Sequence, residues 1–358
     1  PTLGDYQTRY NEAKKQIVHV SPTTESTRII NDLQLVADGL SEYERKRKLL
    51  TEKGKFPNPV PHLASLQEMG ISFFDGEYSL LLGHEGTGKS SFAQQLAESI
   101  AWQQGIGYDV AYITLETNTE KLAMRTLSRN LGIPLNDFIK FQVDTKSAEY
   151  LEVYSAFIEK RARAEESSGA VLYVTLGDKS PSSIIDAINQ CYLISSSAGR
   201  KLFVIVDHIG RIQISRVQGS NDANAITDAV VQISNAGNAI NTHIMFLGHT
   251  DNANGTKLFG ATQANKNAQI VLVLKAQAPE GGVKTDEPAM DYFGRKLADY
   301  LARPRWFQKV GNKHSGELEI YIEKSNDSSG GSVKVWCERP MGNLLYDRKD
   351  ELDRIKQL

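Results

Sequence analysis

The residues with the clearest chemistry form one octapeptide, Gly83-His84-Glu85-Gly86-Thr87-Gly88-Lys89-Ser90, which fills every fixed position of the pattern G-x-x-x-x-G-K-[ST]. An apolar run, 78–82, precedes it and a helix-forming run, 91–102, follows it. In that context the glycines let the backbone wrap a phosphate, and N–H groups at the helix N-terminus face the anion. The motif therefore predicts a nucleotide site, in which Lys89 reaches the β- and γ-phosphates and Ser90 ligates Mg²⁺. Further nucleotide contacts are expected from Gly83, Gly86, Thr87, Gly88 and Ser91; a glycine-rich turn without a ligand is the alternative.

Three more polar residues follow apolar runs that are predicted strands. Asp207 ends the run 202–206, Glu116 ends the run 109–115, and His249 follows the run 243–247. The carboxyl ends of parallel strands share one edge of a sheet, and ligands bind at that edge. There Asp207 would bind the nucleotide by completing the Mg²⁺ shell beside Ser90, Glu116 could deprotonate water, and His249 could hydrogen-bond the γ-phosphate. Taken singly, each has a simpler interpretation. Asp207 or Glu116 could serve only as a cap at the end of its strand or at the start of the next helix, and His249 could be an ordinary loop residue.

Composition places the chain among ordinary globular proteins. Its 358 residues are 40% hydrophobic and 23% charged, with a net charge of -2. A global cationic surface is thereby excluded, so nucleic-acid contacts would have to come from local basic loops. Cys191 and Cys337 lie far apart without histidines at metal-ligand spacing, so neither a disulfide scaffold nor a zinc site is indicated. No apolar run approaches the ~20 residues of a membrane span, so we expect a cytoplasmic protein with no membrane partner.

Strand-like runs alternate with helix-like segments from residue 63 onward, which predicts a mainly parallel sheet flanked by helices. The predicted strands are 78–82, 109–115, 170–176, 202–206, 243–247 and 268–274, and the clearest predicted helices between them are 181–195 and 225–240. Residues 316–324 and 331–337 predict a closing antiparallel hairpin. Two finer predictions concern one region: a capping box in which Thr117 and Glu120 start a helix, and a short strand at 139–143.

A proline-rich segment, 53–61, marks a boundary in the chain, because its three prolines cannot donate to a helix or a sheet. Residues 1–60 are predicted to form a helical N-terminal extension and linker, 61–347 the α/β domain, and 348–358 a charged C-terminal tail. Apolar residues in the extension give one predicted helix an apolar face, which would pack on a neighbouring subunit or on the same core. These residues are Ile29, Ile30, Leu33 and Val36.

The combined motifs resemble those of a known family. The phosphate loop, the strand Val110–Glu116 and the segment Glu120–Arg125 resemble DnaB-like replicative helicases with a RecA-type core. The runs Asp207-His208-Ile209 and Gly248-His249 are more similar to the phage primase–helicases and Twinkle-like proteins, in which a histidine stands where DnaB proteins have glutamine. The resemblance implies a RecA-like P-loop NTPase core that uses ATP and Mg²⁺. It also implies a ring, expected to be hexameric, that couples ATP hydrolysis to translocation on single-stranded DNA and to duplex unwinding.

The same resemblance implies roles for single residues. It makes Glu116 the catalytic base, Lys89 and His249 contacts of the γ-phosphate, and Lys324 the lysine that the family carries in the hairpin. The stretches after Asp207 and after His249 match DNA-facing loops, whose cationic and amide groups suit phosphate contacts without base readout. The expected DNA-binding residues are Arg211, Arg216, Asn252, Asn254, Lys257 and Lys266. Two solvated loops without DNA contact are the alternative.

Asn326 departs from the family pattern, which has an arginine that completes the ATP site of the neighbouring subunit. Such an arginine contributes about 10³–10⁵ in rate, and an amide cannot neutralise phosphate charge. Three explanations for the missing arginine remain open: Lys324 suffices, an arginine within 276–313 substitutes for it, or hydrolysis is slow. The resemblance also leaves room for a primase or polymerase partner, for a chain that is a fragment of a longer primase–helicase, and for a phage-encoded protein in the host cytoplasm.

Two other functions fit the same core. A RecA-type recombinase or single-stranded DNA-binding ATPase would use ATP as a switch without unwinding, and the missing arginine would suit it. A non-catalytic DNA-binding or loader module is the other, and intact Lys89 and Glu116 disfavour it. The segment Glu120–Arg125 and the run Asp207-His208-Ile209 favour the helicase.

Overall fold

The structure, a computed structural model, describes residues 40–41, 43–48, 51–52, 58–103, 107–167, 169–214, 222–250, 262–276, 316–325, 330–338 and 344–347. The described residues between 40 and 52 are helical and belong to the predicted helical extension. The predicted helix that carries Ile29, Ile30, Leu33 and Val36 lies outside the described residues, as does the C-terminal tail.

Within this part of the chain, nine strands form one sheet in the order β3-β2-β4-β5-β1-β6-β7-β8-β9. The strands are β1 Tyr78–Gly83, β2 Tyr108–Thr114, β3 Val171–Thr175, β4 Lys201–Asp207, β5 His243–His249, β6 Ile270–Ala276, β7 Gly316–Ser325, β8 Gly331–Glu338 and β9 Leu344–Asp347. The pairings among β1 to β6 are all parallel, and β7, β8 and β9 extend the sheet in antiparallel fashion. The predicted mainly parallel sheet with a closing hairpin is therefore confirmed.

Helices connect the parallel strands. They are α1 Ala64–Glu68, α2 Lys89–Glu98, α3 Thr119–Leu131, α4 Leu135–Ile139, α5 Ala148–Ser167, α6 Pro181–Ser197, α7 Asp222–Ala239 and α8 Thr262–Asn267. Local sequence accounts for several ends. Ser180 caps α6 by accepting from the Ser183 N–H, with Pro181 in the first turn. Gly132, at φ 68°, ends α3 in the left-handed conformation that glycine adopts without strain.

The central strands are buried on both faces, as parallel strands covered by helices must be. Every residue of β1 and β2 is buried. Alternate residues of one strand enter two different cores: Phe203 and Ile205 of β4 pack with Phe92 on one side, while Val204 and Val206 pack on the other. The period-two alternation of strand side chains thus fixes both layers of the domain at once.

The strand register sets the carboxyl ends of the parallel strands level with one another. Gly83 at the end of β1 pairs with His249 of β5, and Thr114 at the end of β2 pairs with Asp207 of β4. A backbone hydrogen bond from the Thr250 N–H to the Gly83 carbonyl, 3.3 Å long, continues the first pairing past the strands. The loops after β1, β2, β4 and β5 therefore leave the sheet at a common edge.

Two of the finer predictions are wrong. No strand forms at 139–143: Ile139 ends α4, and turn residues lead on to α5. The predicted capping box is replaced by a single cap, because Asn118 accepts from the Lys121 N–H at 2.9 Å and α3 begins at Thr119. Asparagine is among the strongest N-cap residues, and it lies one position after the predicted threonine. Strand β9 and helix α8 were not predicted, since both are short and lack a periodic signal.

The two-sided core generates a stability prediction. Phe203 is fully buried in β4, where its ring stacks on His243 with 5.1 Å between centroids, whereas Phe141 is 86% exposed. Phe203→Ala should lower the free energy of unfolding by about 3–5 kcal/mol, since it removes core contacts and leaves a cavity. Phe141→Ala, the matched control, should change it by less than about 0.5 kcal/mol. Urea titrations of both variants measure this, and similar losses in the two would contradict the assigned core.

Candidate active site

The phosphate loop joins β1 to α2 through backbone conformations that only glycine adopts easily. Gly86 and Gly88 have φ of 77° and 95°, and Gly88 is also the N-cap of α2. Gly83 is needed for a different reason, because a Cβ there would lie 2.7 Å from Thr87 Oγ1 and 2.8 Å from the Leu274 carbonyl. The Thr87 hydroxyl in turn donates to the His84 carbonyl at 2.8 Å, which closes the loop on itself.

Lys89 is a buried cation that contacts only uncharged acceptors. Its ammonium donates to the carbonyls of Gly83 and His84, each at 2.8 Å, and to His249 Nδ1 at 3.3 Å. Burial lowers the pKa of Lys89 to about 8, although the charges of Asp207 and nearby glutamates oppose the shift. A buried ammonium is unfavourable unless it is paired, so a phosphate entering the loop would gain this cation as a partner.

His249, at the end of β5, is a neutral donor available to a phosphate. Burial, followed by the charge of Lys89, lowers the pKa of His249 to about 4, which leaves the ring uncharged at neutral pH. Since an ammonium can only donate, Nδ1 must accept from Lys89, and the ring proton then resides on Nε2. The structure thus brings the predicted γ-phosphate sensor into contact with the predicted phosphate lysine.

Asp207 is held in place from the neighbouring strand. It is 4% exposed, and its Oδ2 accepts from the Tyr112 hydroxyl of β2 at 2.7 Å. The same hydroxyl lies 3.3 Å from the Ser90 carbonyl, so Tyr112 bridges the two predicted Mg²⁺ ligands. Burial, together with the Asp207 carboxylate, raises the pKa of Tyr112 well above its ordinary value, which keeps it a proton donor. Sequence reasoning missed Tyr112; its place two residues before the end of β2 was the available signal.

Glu116 lies two residues beyond β2, where side chains from the segment after β4 engage both of its carboxylate oxygens. His208 Nε2 lies 2.8 Å from Oε2, and Arg211 Nη2 donates to Oε1 at 3.0 Å. His208 also meets the ring of His249 edge to face, with 4.5 Å between centroids. One ligand atom from each of Glu116, His208 and His249 lies within 4.8 Å of the others. His208 was not predicted as a site residue, although it directly follows the predicted Asp207.

The surroundings of Glu116 keep it ionised. Burial alone would raise its pKa, but the hydrogen bond and charge of Arg211, together with the contact from His208, outweigh burial, so the pKa lies below its ordinary value. Burial lowers the pKa of His208 as well, despite the nearby carboxylates, which favours a neutral ring beside the carboxylate. The Glu116 side chain remains 45% exposed, so water can reach it.

Among the remaining predicted residues that the structure describes, Arg211 joins this cluster, whereas Lys324 and Lys266 do not. Lys324 donates to the carbonyls of Lys266 and Ala268, which precede β6 at the opposite edge of the sheet. Lys266 itself is exposed at the end of helix α8 instead of on a loop. Arg211 lies in the 3₁₀-helix Ile209–Arg211 and contacts Glu116. Arg216, Asn252, Asn254, Lys257 and Asn326 lie outside the described residues.

These residues fit a nucleoside triphosphate and its magnesium ion. The loop leaves the buried Lys89 ammonium facing uncharged acceptors, and the space beside Gly86 and Gly88 is open, since a Cβ on either would meet no atom within 4 Å. Ser90 and the fixed carboxylate of Asp207 supply oxygen ligands, which Mg²⁺ prefers. An exposed carboxylate at Glu116 provides a base beside the same edge.

Comparison with known proteins gives a consistent result. The model of the DnaB-like helicase C-terminal domain family matches residues 61–249, a stretch that contains the phosphate loop, Glu116, Asp207 and His249. A solved structure described as an ATPase domain is similar over 89% of this chain and 99% of its own, with a TM-score of 0.65 and 14% identity. A DnaB-like replicative helicase described with its interactions with primase is similar over 96% of this chain and 75% of its own, with a TM-score of 0.63 and 13% identity. At such identities the two structures establish the fold alone. No protein with curated annotation matches the sequence significantly.

The burial of Lys89 generates a pH prediction. Because its pKa is lowered to about 8, the ammonium that is predicted to bind the phosphates is lost as pH rises through that value. Affinity for ATP should therefore be constant below pH 8 and fall by about tenfold per pH unit above it. A fluorescent ATP analogue titrated between about pH 6.5 and about pH 9.5, a window that spans this pKa, measures the affinity. Lys89→Arg, which stays charged throughout, should bind more weakly but without that decline, and parallel pH profiles would contradict the assignment.

Proposed function

The chain belongs to the DnaB-like helicase C-terminal domain family and is a ring-forming, ATP-dependent replicative DNA helicase; we propose that it hydrolyses MgATP at the edge of the sheet where β1, β2, β4 and β5 end. The observation that carries this site is the convergence of Lys89, Glu116, Asp207 and His249, which come from four separate segments. The proposed ring is a hexamer that moves along single-stranded DNA.

Binding of the nucleotide follows from the loop geometry. Backbone N–H groups of the phosphate loop and the N-terminus of α2 face the phosphates, and Lys89 exchanges its carbonyl partners for phosphate oxygens. Ser90 and Asp207 would hold the magnesium ion, which would neutralise charge on the phosphates. Tyr112 keeps Asp207 in a single orientation, because its hydroxyl donates to one carboxylate oxygen and leaves the other for the metal shell.

Hydrolysis then requires a base and a donor. Glu116 takes a proton from the attacking water, and its exposure supports this assignment because water reaches the carboxylate. His249 donates from Nε2 to the γ-phosphate, and the residue after it is bonded to Gly83 of the phosphate loop. Loss of the γ-phosphate would therefore remove a contact of His249 and could shift the loop that follows β5, which is proposed to face DNA.

The proposed DNA contacts follow β4 and β5 in the sequence. Residues Arg211, Arg216, Asn252, Asn254, Lys257 and Lys266 are proposed to contact the DNA backbone. The support is their charge and hydrogen-bonding chemistry, together with their sequence position after β4 and β5.

The domain division at residues 60 and 347 is part of the same proposal, with the N-terminal extension packing on a neighbouring subunit.

Lys324 is proposed to serve the ATP site of a neighbouring subunit. It pairs with Val271, which pairs with Leu80, so it lies level with a residue three positions before Gly83. At about 3.3 Å per residue along a strand and about 4.8 Å between strands, it is more than about 10 Å from its own phosphate loop. Its ammonium donates to the carbonyls of Lys266 and Ala268, so we propose that it acts on phosphates of another subunit and not on those of its own phosphate loop.

A primase is the proposed partner. The support is that a DnaB-like replicative helicase of the same fold is described with its interactions with primase. A site of action in the cytoplasm, which is that of the host if the protein is phage-encoded, is part of the same proposal. Among the described residues, no helix is both long enough and apolar enough to cross a membrane.

The decisive experiment compares Glu116→Gln with the unchanged protein on forked DNA. The variant should bind ATP normally, but its kcat for ATP hydrolysis should fall by about 10²–10⁴, because the amide cannot accept the proton from water. The rate of duplex unwinding, measured by the release of a labelled DNA strand, should fall in parallel. ATP hydrolysis without unwinding in the unchanged protein, or assembly into open-ended filaments, would support the recombinase-type switch instead. Equal hydrolysis rates for the two proteins would remove Glu116 as the base.

Mixed rings test the role of Lys324. Lys324→Ala and Lys89→Ala should each lose ATPase activity alone, the first by a factor on the order of 10³ as for other trans-acting cations. In a mixture, a Lys324→Ala subunit keeps an intact phosphate loop, and a Lys89→Ala neighbour supplies the missing lysine. Activity above that of either variant alone is therefore expected when subunits are exchanged before the assay. A mixture no more active than the separate variants would place the action of Lys324 within its own subunit.

A further inference from the structure

The segment after β4 holds the catalytic carboxylate from two sides. His208 approaches one oxygen of Glu116, and Arg211 donates to the other. A tight turn fixes the spacing of the two side chains: the Arg211 N–H donates to the His208 carbonyl at 3.0 Å, and the Gly210 N–H donates to His208 Nδ1 at 3.2 Å. A Cβ at Gly210 would lie 2.9 Å from His208 Cε1, so the turn depends on glycine.

This arrangement restrains the base. A general base must direct a lone pair at the water and must be basic enough to take the proton. The guanidinium of Arg211 occupies one oxygen and stabilises the ionised form, which lowers the basicity of Glu116. Each carboxylate oxygen keeps a second lone pair, so the restraint acts through orientation and basicity and does not block the group completely.

Arg211 can exchange its partner. Its side chain is 55% exposed and its carboxylate partner is 45% exposed, and ion pairs between such groups are weak. A phosphodiester offers two non-bridging oxygens that can accept a bidentate contact and carries a full negative charge, and the planar guanidinium of arginine is especially suited to both. Arg211 also lies at the start of the stretch after β4 that is proposed to face DNA, so one side chain is shared between the two sites.

We propose that Arg211 is a positioning residue that restrains Glu116 until a phosphate of single-stranded DNA takes its place. The inference rests on the proposed function, since it assumes that Glu116 is the base and that the segment after β4 meets DNA. Binding of DNA withdraws the guanidinium, which leaves Glu116 in contact with His208 and free to orient toward the water. DNA is thereby sensed directly at the catalytic base, within the subunit that hydrolyses ATP.

The test measures kcat and KM for ATP with and without saturating oligothymidylate. In Arg211→Gln, kcat without DNA should rise several-fold toward the DNA-stimulated value, while KM for ATP changes by less than about twofold, because the substitution affects the base and not the phosphate loop. The ratio of stimulated to basal kcat should fall toward one. Arg211→Lys, which keeps the positive charge but loses the bidentate guanidinium, should retain part of the stimulation by DNA.

Lys146→Gln is the control for loss of a surface charge, since Lys146 is exposed in the turn before α5. It should leave basal kcat and the stimulation ratio unchanged. A basal kcat in Arg211→Gln that stays the same or falls, with stimulation retained, overturns the inference and leaves the proposed function intact. Absence of any ATP hydrolysis in the unchanged protein overturns both, and hydrolysis that DNA does not stimulate overturns the inference alone.

Discussion

Parallel pairing of β1 between β5 and β6 is the constraint on which the rest of the molecule depends. The register that sets Gly83 level with His249 also sets the phosphate loop beside the last residue of β5. The pairing of Thr114 with Asp207 does the same for β2 and β4. No single element contains the site. A shift of one residue in either pairing would turn each strand's side chains to the opposite face and move the polar termini out of reach.

Burial gives these strand ends their chemical character. Lys89 and Asp207 are almost inaccessible, and each is held by groups that cannot neutralise it fully: carbonyls and a neutral imidazole for the lysine, a tyrosine hydroxyl for the aspartate. Burying charges in this way costs free energy unless a partner arrives. A nucleotide with its metal ion supplies opposite charge to both. Binding of the nucleotide is therefore expected to stabilise the fold at this edge of the sheet.

Much of this architecture was predictable, for a physical reason. Apolar runs of five to seven residues ending in one polar group are unambiguous when a glycine-rich loop follows the first of them, so the strands, their parallel sheet and the places of Lys89, Asp207 and His249 were predictable. Contacts between segments distant in sequence were not. Tyr112 is one apolar-strand residue among several, and only the pairing of β2 with β4 brings its hydroxyl to Asp207. The cap at Asn118 instead of Thr117 reflects the ±1 ambiguity of helix starts that begin with several capping residues.

The two carboxylates at the edge differ in a way that explains why regulation would act on one of them. Asp207 belongs to a strand, is 4% exposed, and is fixed by a buried hydroxyl, so displacing it would leave a buried charge without its hydrogen-bond partner. Glu116 lies two residues past its strand, and its ion pair with Arg211 is half exposed; pairs of that kind contribute about 0–1 kcal/mol. A contact so weak can be exchanged by an incoming phosphate without disturbing the fold. The buried carboxylate suits the metal, whose geometry must not vary, and the exposed one suits a proton transfer that must wait for DNA.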